Sequence, residues 1–149
     1  MYMSTIDQGV QTLMNSEPLC LDVADSVSRC VEEMEQIEWQ PALVTKDDVV
    51  VGIVTWRHFI SLLASGMSLS EVQRLSVRDI MEVNPTTIPH DATQKEAVSA
   101  YNRCESDFII VTHFGSPIGL ITEDTLSHRA YPLFDQRIGM APVQRPEVA

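Results

Sequence analysis

The chain has 149 residues, of which 44% are apolar and 21% charged, a balance that supports a buried core and excludes wholesale disorder. Its formal charge is −11, divided as −7 over residues 1–75 and −4 over 76–149, and neither half clusters the Lys and Arg that a nucleic-acid backbone requires. No apolar run approaches the ~20 residues of a membrane helix, and three cysteines without a Cys-x-x-Cys argue against a disulfide framework or a structural zinc.

In chain order, the first residues, Met1 to Asp7, have neither a basic flank nor an apolar core. A signal peptide is therefore not expected, and a cytoplasmic location is. After Pro18 a short extended segment, Leu19-Cys20-Leu21, is followed by a helix. Its apolar stripe is Val27, Cys30, Val31, Met34 and Ile37, at spacings of three and four. The acidic run Glu32 to Glu38 reads as the solvated face of that helix. A buried strand follows at Pro41 to Thr45, then a turn at Lys46-Asp47-Asp48, a strand at Val49 to Thr55 and a helix from Trp56. Ser68-Leu69-Ser70-Glu71 is a capping-box pattern, which predicts a short helix between Ala64 and Ser76.

The sequence then repeats itself. Met14 and Met81 lie 67 residues apart, and the same offset pairs Pro18 with Pro85, Val31 with Val98, Glu38 with Glu105 and Val44 with Val111. It also pairs Thr45 with Thr112, Gly52 with Gly119 and Thr55 with Thr122. The second copy has its extended segment at Thr86-Thr87-Ile88 and a helix striped by Ala97, Val98, Tyr101 and Cys104. Thr93-Gln94-Lys95-Glu96 forms that helix's capping box. A strand at Phe108 to Thr112, a turn at His113 to Ser116, a strand at Pro117 to Thr122 and a helix from Glu123 complete the copy. The order strand, helix, strand, strand, helix places the chain in the α+β or α/β class. The expected organisation is a first repeat over 8–64, a helical link over 65–76, a second repeat over 77–134 and a disordered or partner-docked tail over 135–149.

These residues carry a resemblance. Val77-Arg78-Asp79-Ile80-Met81, Pro85-Thr86-Thr87-Ile88 and Pro117-Ile118-Gly119-Leu120-Ile121-Thr122 resemble a CBS domain, the module named after cystathionine beta-synthase. Val10-Gln11-Thr12-Leu13-Met14, Pro41-Ala42-Leu43-Val44 and Val51-Gly52-Ile53-Val54-Thr55 show the pattern again. Two copies in tandem resemble a CBS pair, or Bateman module, over roughly residues 8–134. The resemblance implies an α+β fold of two β-α-β-β-α units with pseudo-twofold symmetry, facing three-stranded sheets and flanking helices. It implies a regulatory module rather than an enzyme. The module would dimerise and act on a partner protein or a fused effector domain. Its regulatory ligand would be an adenosine-containing compound, AMP, ADP, ATP or S-adenosylmethionine, bound in the cleft between repeats. The alternative is a ligand-free dimerisation or interaction module with degenerate nucleotide sites.

The resemblance also implies where a ligand would bind. In the family, Gly-hydrophobic-hydrophobic-Thr/Ser-x-x-Asp joins the last strand to the second helix, and the Asp accepts the ribose hydroxyls. Here Gly and Thr are kept twice and the Asp is replaced twice, by His58 after Thr55-Trp56-Arg57 and by Thr125 after Thr122-Glu123-Asp124. Asp124 is one residue early, about 100° around a helix from the family position. A hydrogen bond to a charged acceptor is worth roughly 1.5–3 kcal/mol, so each replacement lowers the expected ribose affinity by about ten- to a hundredfold. The candidate ligand-binding residues are Thr55, Trp56, Arg57, His58, Thr87, Thr122, Asp124 and Thr125. Arg57 is the cation at the first helix start, and Glu123 and Asp124 place negative charge at the second, so a phosphate is expected nearer Thr55. Thr55 and Thr122 also suit plain helix caps, Trp56 packing, Arg57 a surface ion pair and His58 a half-buried position. No catalytic constellation and no metal-ligand spacing occurs among the four histidines. The second helices, with Phe59, Ile60, Leu62 and Leu63 in one copy and Leu126, Tyr131, Leu133 and Phe134 in or near the other, are the expected homodimer face. Cys30 and Cys104 are expected to be buried and unbonded.

Overall fold

The computed structural model describes residues 9–103 and 107–129. Cys104, Tyr131, Leu133, Phe134 and the tail 135–149 lie outside them. The apolar run at Ala42–Lys46 forms β2, flanked in parallel by β1 (Leu19–Asp22) and antiparallel by β3 (Val49–Val54). Helix α1 (Val27–Gln36) follows β1 and starts at Ser26, whose side chain accepts from the Arg29 N–H at 3.1 Å. Of the stripe read from the sequence it buries Val27, Cys30 and Met34, while Val31 and the C-cap residue Ile37 are half-buried. Helix α2 (Trp56–Ala64) leaves β3 directly, and α3 (Leu69–Gln73) carries the reciprocal Ser68–Glu71 capping box. The second copy follows with α4 (Val77–Ile80), β4 (Glu82–Val83), β5 (Thr87–Pro89) and α5 (Gln94–Arg103). It ends with β6 (Phe108–His113), β7 (Ser116–Thr122) and α6 (Glu123–Arg129).

The copies agree in fine detail. The ladder β2–β3 shifts register between Val44 and Thr45, and β6–β7 between Val111 and Thr112, 67 residues on. The β2–β3 turn places Asp47 and Asp48 at φ 52° and 67°; the β6–β7 turn places Phe114 and Gly115 at 52° and 85°. Two successive residues with positive φ give a tight turn whose twist matches the strands it joins.

The opening segment of each copy crosses to the other copy's sheet. Strand β4 adds a fourth strand to the first sheet, pairing Gly52 with Val83 and Ile53 with Glu82. In return, Asn15 exchanges both backbone hydrogen bonds with Leu120 of β7, at 2.8 and 3.0 Å. Val77 N–H donates to the Asp25 carbonyl and Val10 N–H to the Ala92 carbonyl, each at 2.9 Å. Accordingly Val10, Leu13 and Met14 join the second sheet's core, whereas Val77, Ile80 and Met81 pack with the first. The sheets meet face to face through a third cluster, Leu43, Ile53, Ile110 and Leu120. These are two symmetry-related pairs, since 43 corresponds to 110 and 53 to 120.

The crossing explains the repeated glycines. A Cβ on Gly52 would lie 2.8 Å from Met81 Cγ and 3.0 Å from the Glu82 carbonyl oxygen, and one on Gly119 would lie 2.7 Å from Met14 Cγ. Each Gly admits the Met of the other copy. Among the described residues, no helix is long and apolar enough to cross a membrane.

Candidate functional site

Both strand-to-helix junctions are built by local hydrogen bonding. At the first, Nδ1 of His58 accepts from the Thr55 N–H at 2.9 Å, and the His58 N–H donates to the Thr55 carbonyl at 3.0 Å. An accepting Nδ1 fixes a neutral ring with its proton on Nε2. Burial lowers the His58 pKa, with the charge of Glu82 opposing the shift. At the second, Oγ1 of Thr125 accepts from the Thr122 N–H at 2.9 Å and donates to the Thr122 carbonyl at 3.0 Å. Oγ1 of Thr122 in turn accepts from the Thr125 N–H at 3.2 Å. The side chains standing at the family's Asp positions thus bond back to their own helix starts.

The other candidates divide between two adjoining clefts. The smaller, about 260 Å³, is lined by Thr55, Trp56, Arg57, His58, Glu82, Asp107 and Phe108. Its cation is engaged: Arg57 Nη1 lies 3.8 Å from Asp107 Oδ2, and the guanidinium carbon 5.9 Å from the centroid of the Trp56 ring. A phosphate at the Thr55 end would meet the carboxylates of Glu82 and Asp107 as well as Arg57. The larger cleft, about 500 Å³, holds Thr122, Asp124 and Thr125 together with Thr55 and Trp56, so it draws on both copies. Asp124 lines this cleft beside Thr125 despite its one-residue displacement. Thr87 lines neither: it is exposed on β5, opposite Ile110, while its neighbour Ile88 points into the core.

Several lining residues were not singled out from the sequence. Glu38 and Trp39 form one wall of the larger cleft, Gln40 and Pro41 continue it, and Asn15 and Ser16 face them. Asn15 Nδ2 donates to Gln40 Oε1 at 3.3 Å. Trp39 lies off the apolar stripe of α1, a legible hint that it serves something other than the helix core. Glu38 ends the acidic run read as a solvated face, and its pairing with Glu105 marks the repeat rather than a site. The two residues adopt left-handed conformations, φ 57° and 64°, and the Trp39 N–H donates to the Met34 carbonyl at 2.8 Å. That bond closes α1 in a Schellman-type turn, which turns the chain into the cleft wall.

Comparisons with known proteins agree with this architecture. The sequence profile of the CBS domain matches twice, over residues 10–65 and 77–131. Among solved structures, the chain is similar to AcuB from Vibrio cholerae, with 18% identity over 91% of this chain and 99% of that one and a TM-score of 0.72. It is similar to the CBS-domain containing protein ATU1752 from Agrobacterium tumefaciens, with 18% identity, 87% and 98% coverage and a TM-score of 0.70. It is also similar to CBSX2, solved in complex with AMP, with 18% identity, 84% and 97% coverage and a TM-score of 0.70. A search of curated proteins gives no match. With both copies matched and their sheets facing one another, the chain belongs to the CBS domain family as a tandem pair.

Proposed function

We propose that this CBS pair is a regulatory module that holds an adenosine-containing ligand in the larger inter-repeat cleft and transmits occupancy through the geometry of a homodimer. The observation that carries the reading is the cleft itself: about 500 Å³, walled by residues of both copies. That volume is within the usual range for small-molecule sites. A ligand there touches Asn15 and Glu38 of one copy and Thr122 and Asp124 of the other, so it couples their separation to binding. CBSX2, which shares the fold, was solved with AMP, and AMP, ADP, ATP and S-adenosylmethionine are the candidates for this chain. The module would act on a partner protein or a fused effector domain, in the cytoplasm, and the reading assigns no catalytic residue.

A second reading has its own observation. His58 and Thr125 are spent on capping their helices, which suits a ligand-free dimerisation or interaction module. A thermal-shift panel of the four adenosyl compounds separates the two. A ligand that binds only the folded chain at a hundred times its Kd stabilises it by about 2.7 kcal/mol. No shift with any member at millimolar concentration supports the second reading.

A further inference from the structure

We propose that the larger cleft selects its ligand by charge, taking an organic cation with a flat apolar body and turning away phosphate. The inference rests on the reading of this cleft as the ligand site and names the charge class of the compound it holds. Both tryptophans of the chain line this one cleft, Trp39 at 38% and Trp56 at 48% exposure, although large aromatic rings are among the side chains most strongly driven to bury. The face of an indole ring attracts a cation, and attracts it more strongly where water is partly excluded. Trp56 already receives one, the Arg57 guanidinium at 5.9 Å.

The polar part of the wall points the same way. Glu38 and Asp124 contribute carboxylates, and among the described lining residues there is no Lys, Arg or His. Arg57 belongs to the adjoining smaller cleft, beside Asp107. A phosphate dianion entering the larger cleft would lose hydration and gain no opposite charge from the described lining residues, in a chain of net charge −11; the Arg57 guanidinium stands over Trp56 in the adjoining cleft, beside Asp107. An ammonium or sulfonium centre would gain the carboxylates of Glu38 and Asp124 and the ring of Trp39, Trp56 being shared with the Arg57 guanidinium. The wall is also placed in advance. Consecutive left-handed residues at Glu38 and Trp39, closed by the 2.8 Å bond from Trp39 N–H to the Met34 carbonyl, fix the backbone that carries the carboxylate and the ring. The edge contact of Trp39 on the buried Phe59, 6.4 Å between centroids, restrains the ring further.

The test uses three compounds that share an adenosyl body and differ at the 5′ position, 5′-amino-5′-deoxyadenosine, adenosine and AMP, with tetraethylammonium as a cation lacking adenine. Binding is read by titration calorimetry and by quenching of tryptophan fluorescence. The expected order is amine, then adenosine, then AMP, with about tenfold or more between the ends. Glu38→Gln and Asp124→Asn should each weaken the amine by about five- to tenfold and leave adenosine within about twofold. AMP binding as tightly as the amine overturns the charge selection while leaving the adenosine reading intact. Tetraethylammonium binding without any adenosyl compound overturns the adenosine reading and upholds the charge selection. Failure of all four compounds to bind overturns both.

Discussion

Gly52 and Gly119 occupy equivalent positions, yet the space above them differs. The three atoms nearest a Cβ at Gly119 all belong to the Met14 side chain, which has rotatable bonds, whereas those nearest one at Gly52 include the fixed carbonyl oxygen of Glu82 at 3.0 Å. Gly52→Ala is therefore expected to cost about 1–3 kcal/mol and Gly119→Ala less. Urea melts of both variants check the order, and a larger loss at Gly119 contradicts the packing described here. His58 supplies a pH dependence whose sign follows from its lowered pKa. Between that lowered value and about 6.5, the unfolded chain binds a proton that the folded chain refuses. The His58 contribution is thus intact above about pH 6.5 and is lost as the pH falls from there to the lowered folded value. His58→Gln keeps an acceptor at the same helical position and removes the titration, so stability measured at pH 7.5 and 5.5 should fall less in the variant than in the parent. At Cys30, burial first and the charges of Glu33 and Asp25 second push the thiol pKa up to about 12. Its thiolate is negligible at pH 8. Native labelling should therefore modify the exposed Cys20 well before Cys30, and Cys30 should react only on unfolding.

Among the elements, those that encode their own boundaries were the most legible. The capping pairs Ser68–Glu71 and Thr93–Glu96 both form, with Glu71 Oε1 accepting from the Ser68 N–H at 3.0 Å and Glu96 Oε1 from the Thr93 N–H at 3.2 Å. The Ser68 hydrogen bonds hold the Glu71 carboxyl below its ordinary pKa. Ser68→Ala should cost about 1 kcal/mol by loss of the cap, a loss seen as a lower midpoint at unchanged m-value. The element assignments for β1, α1, β2, β3 and α2 follow the sequence periodicity closely, because strand alternation and helical stripes reflect burial along one local axis. The destination of α4 and β4 was not legible. A segment that serves either sheet in the same register has the same local pattern in both cases, and a repeat at one constant offset makes the two sheets similar partners.

At the scale of the whole molecule, the described part of the expected dimer face divides between core and surface. Phe59 and Leu126 are buried in the two cores, while Ile60 stays 52% exposed and Leu63 39% exposed on α2. If the chain forms a homodimer through α2, Ile60→Asp with Leu63→Asp should halve the mass found by light scattering at micromolar concentration and leave the monomer folded. A monomeric parent removes the dimer from the proposed mechanism. The core between the sheets makes a separate prediction. Leu43→Ala should cost about 2–5 kcal/mol, and because Leu43 packs with Ile110 and Leu120 of the other copy, both copies should still melt in one transition.

The sequence alone determined the repeat, the order of its elements and the family pattern, since these are periodicities and spacings carried by the chain itself. It also determined the net charge that disfavours polyanions. The tertiary structure decided the exchange of Met14 and Met81 between sheets and the capping roles of His58 and Thr125. It decided, too, the meeting of Glu38, Trp39, Trp56 and Asp124 around one cleft. Residues brought together from positions 38 to 124 share no local axis, so no periodicity records their meeting; only the facing of the two sheets through Leu43, Ile53, Ile110 and Leu120 does.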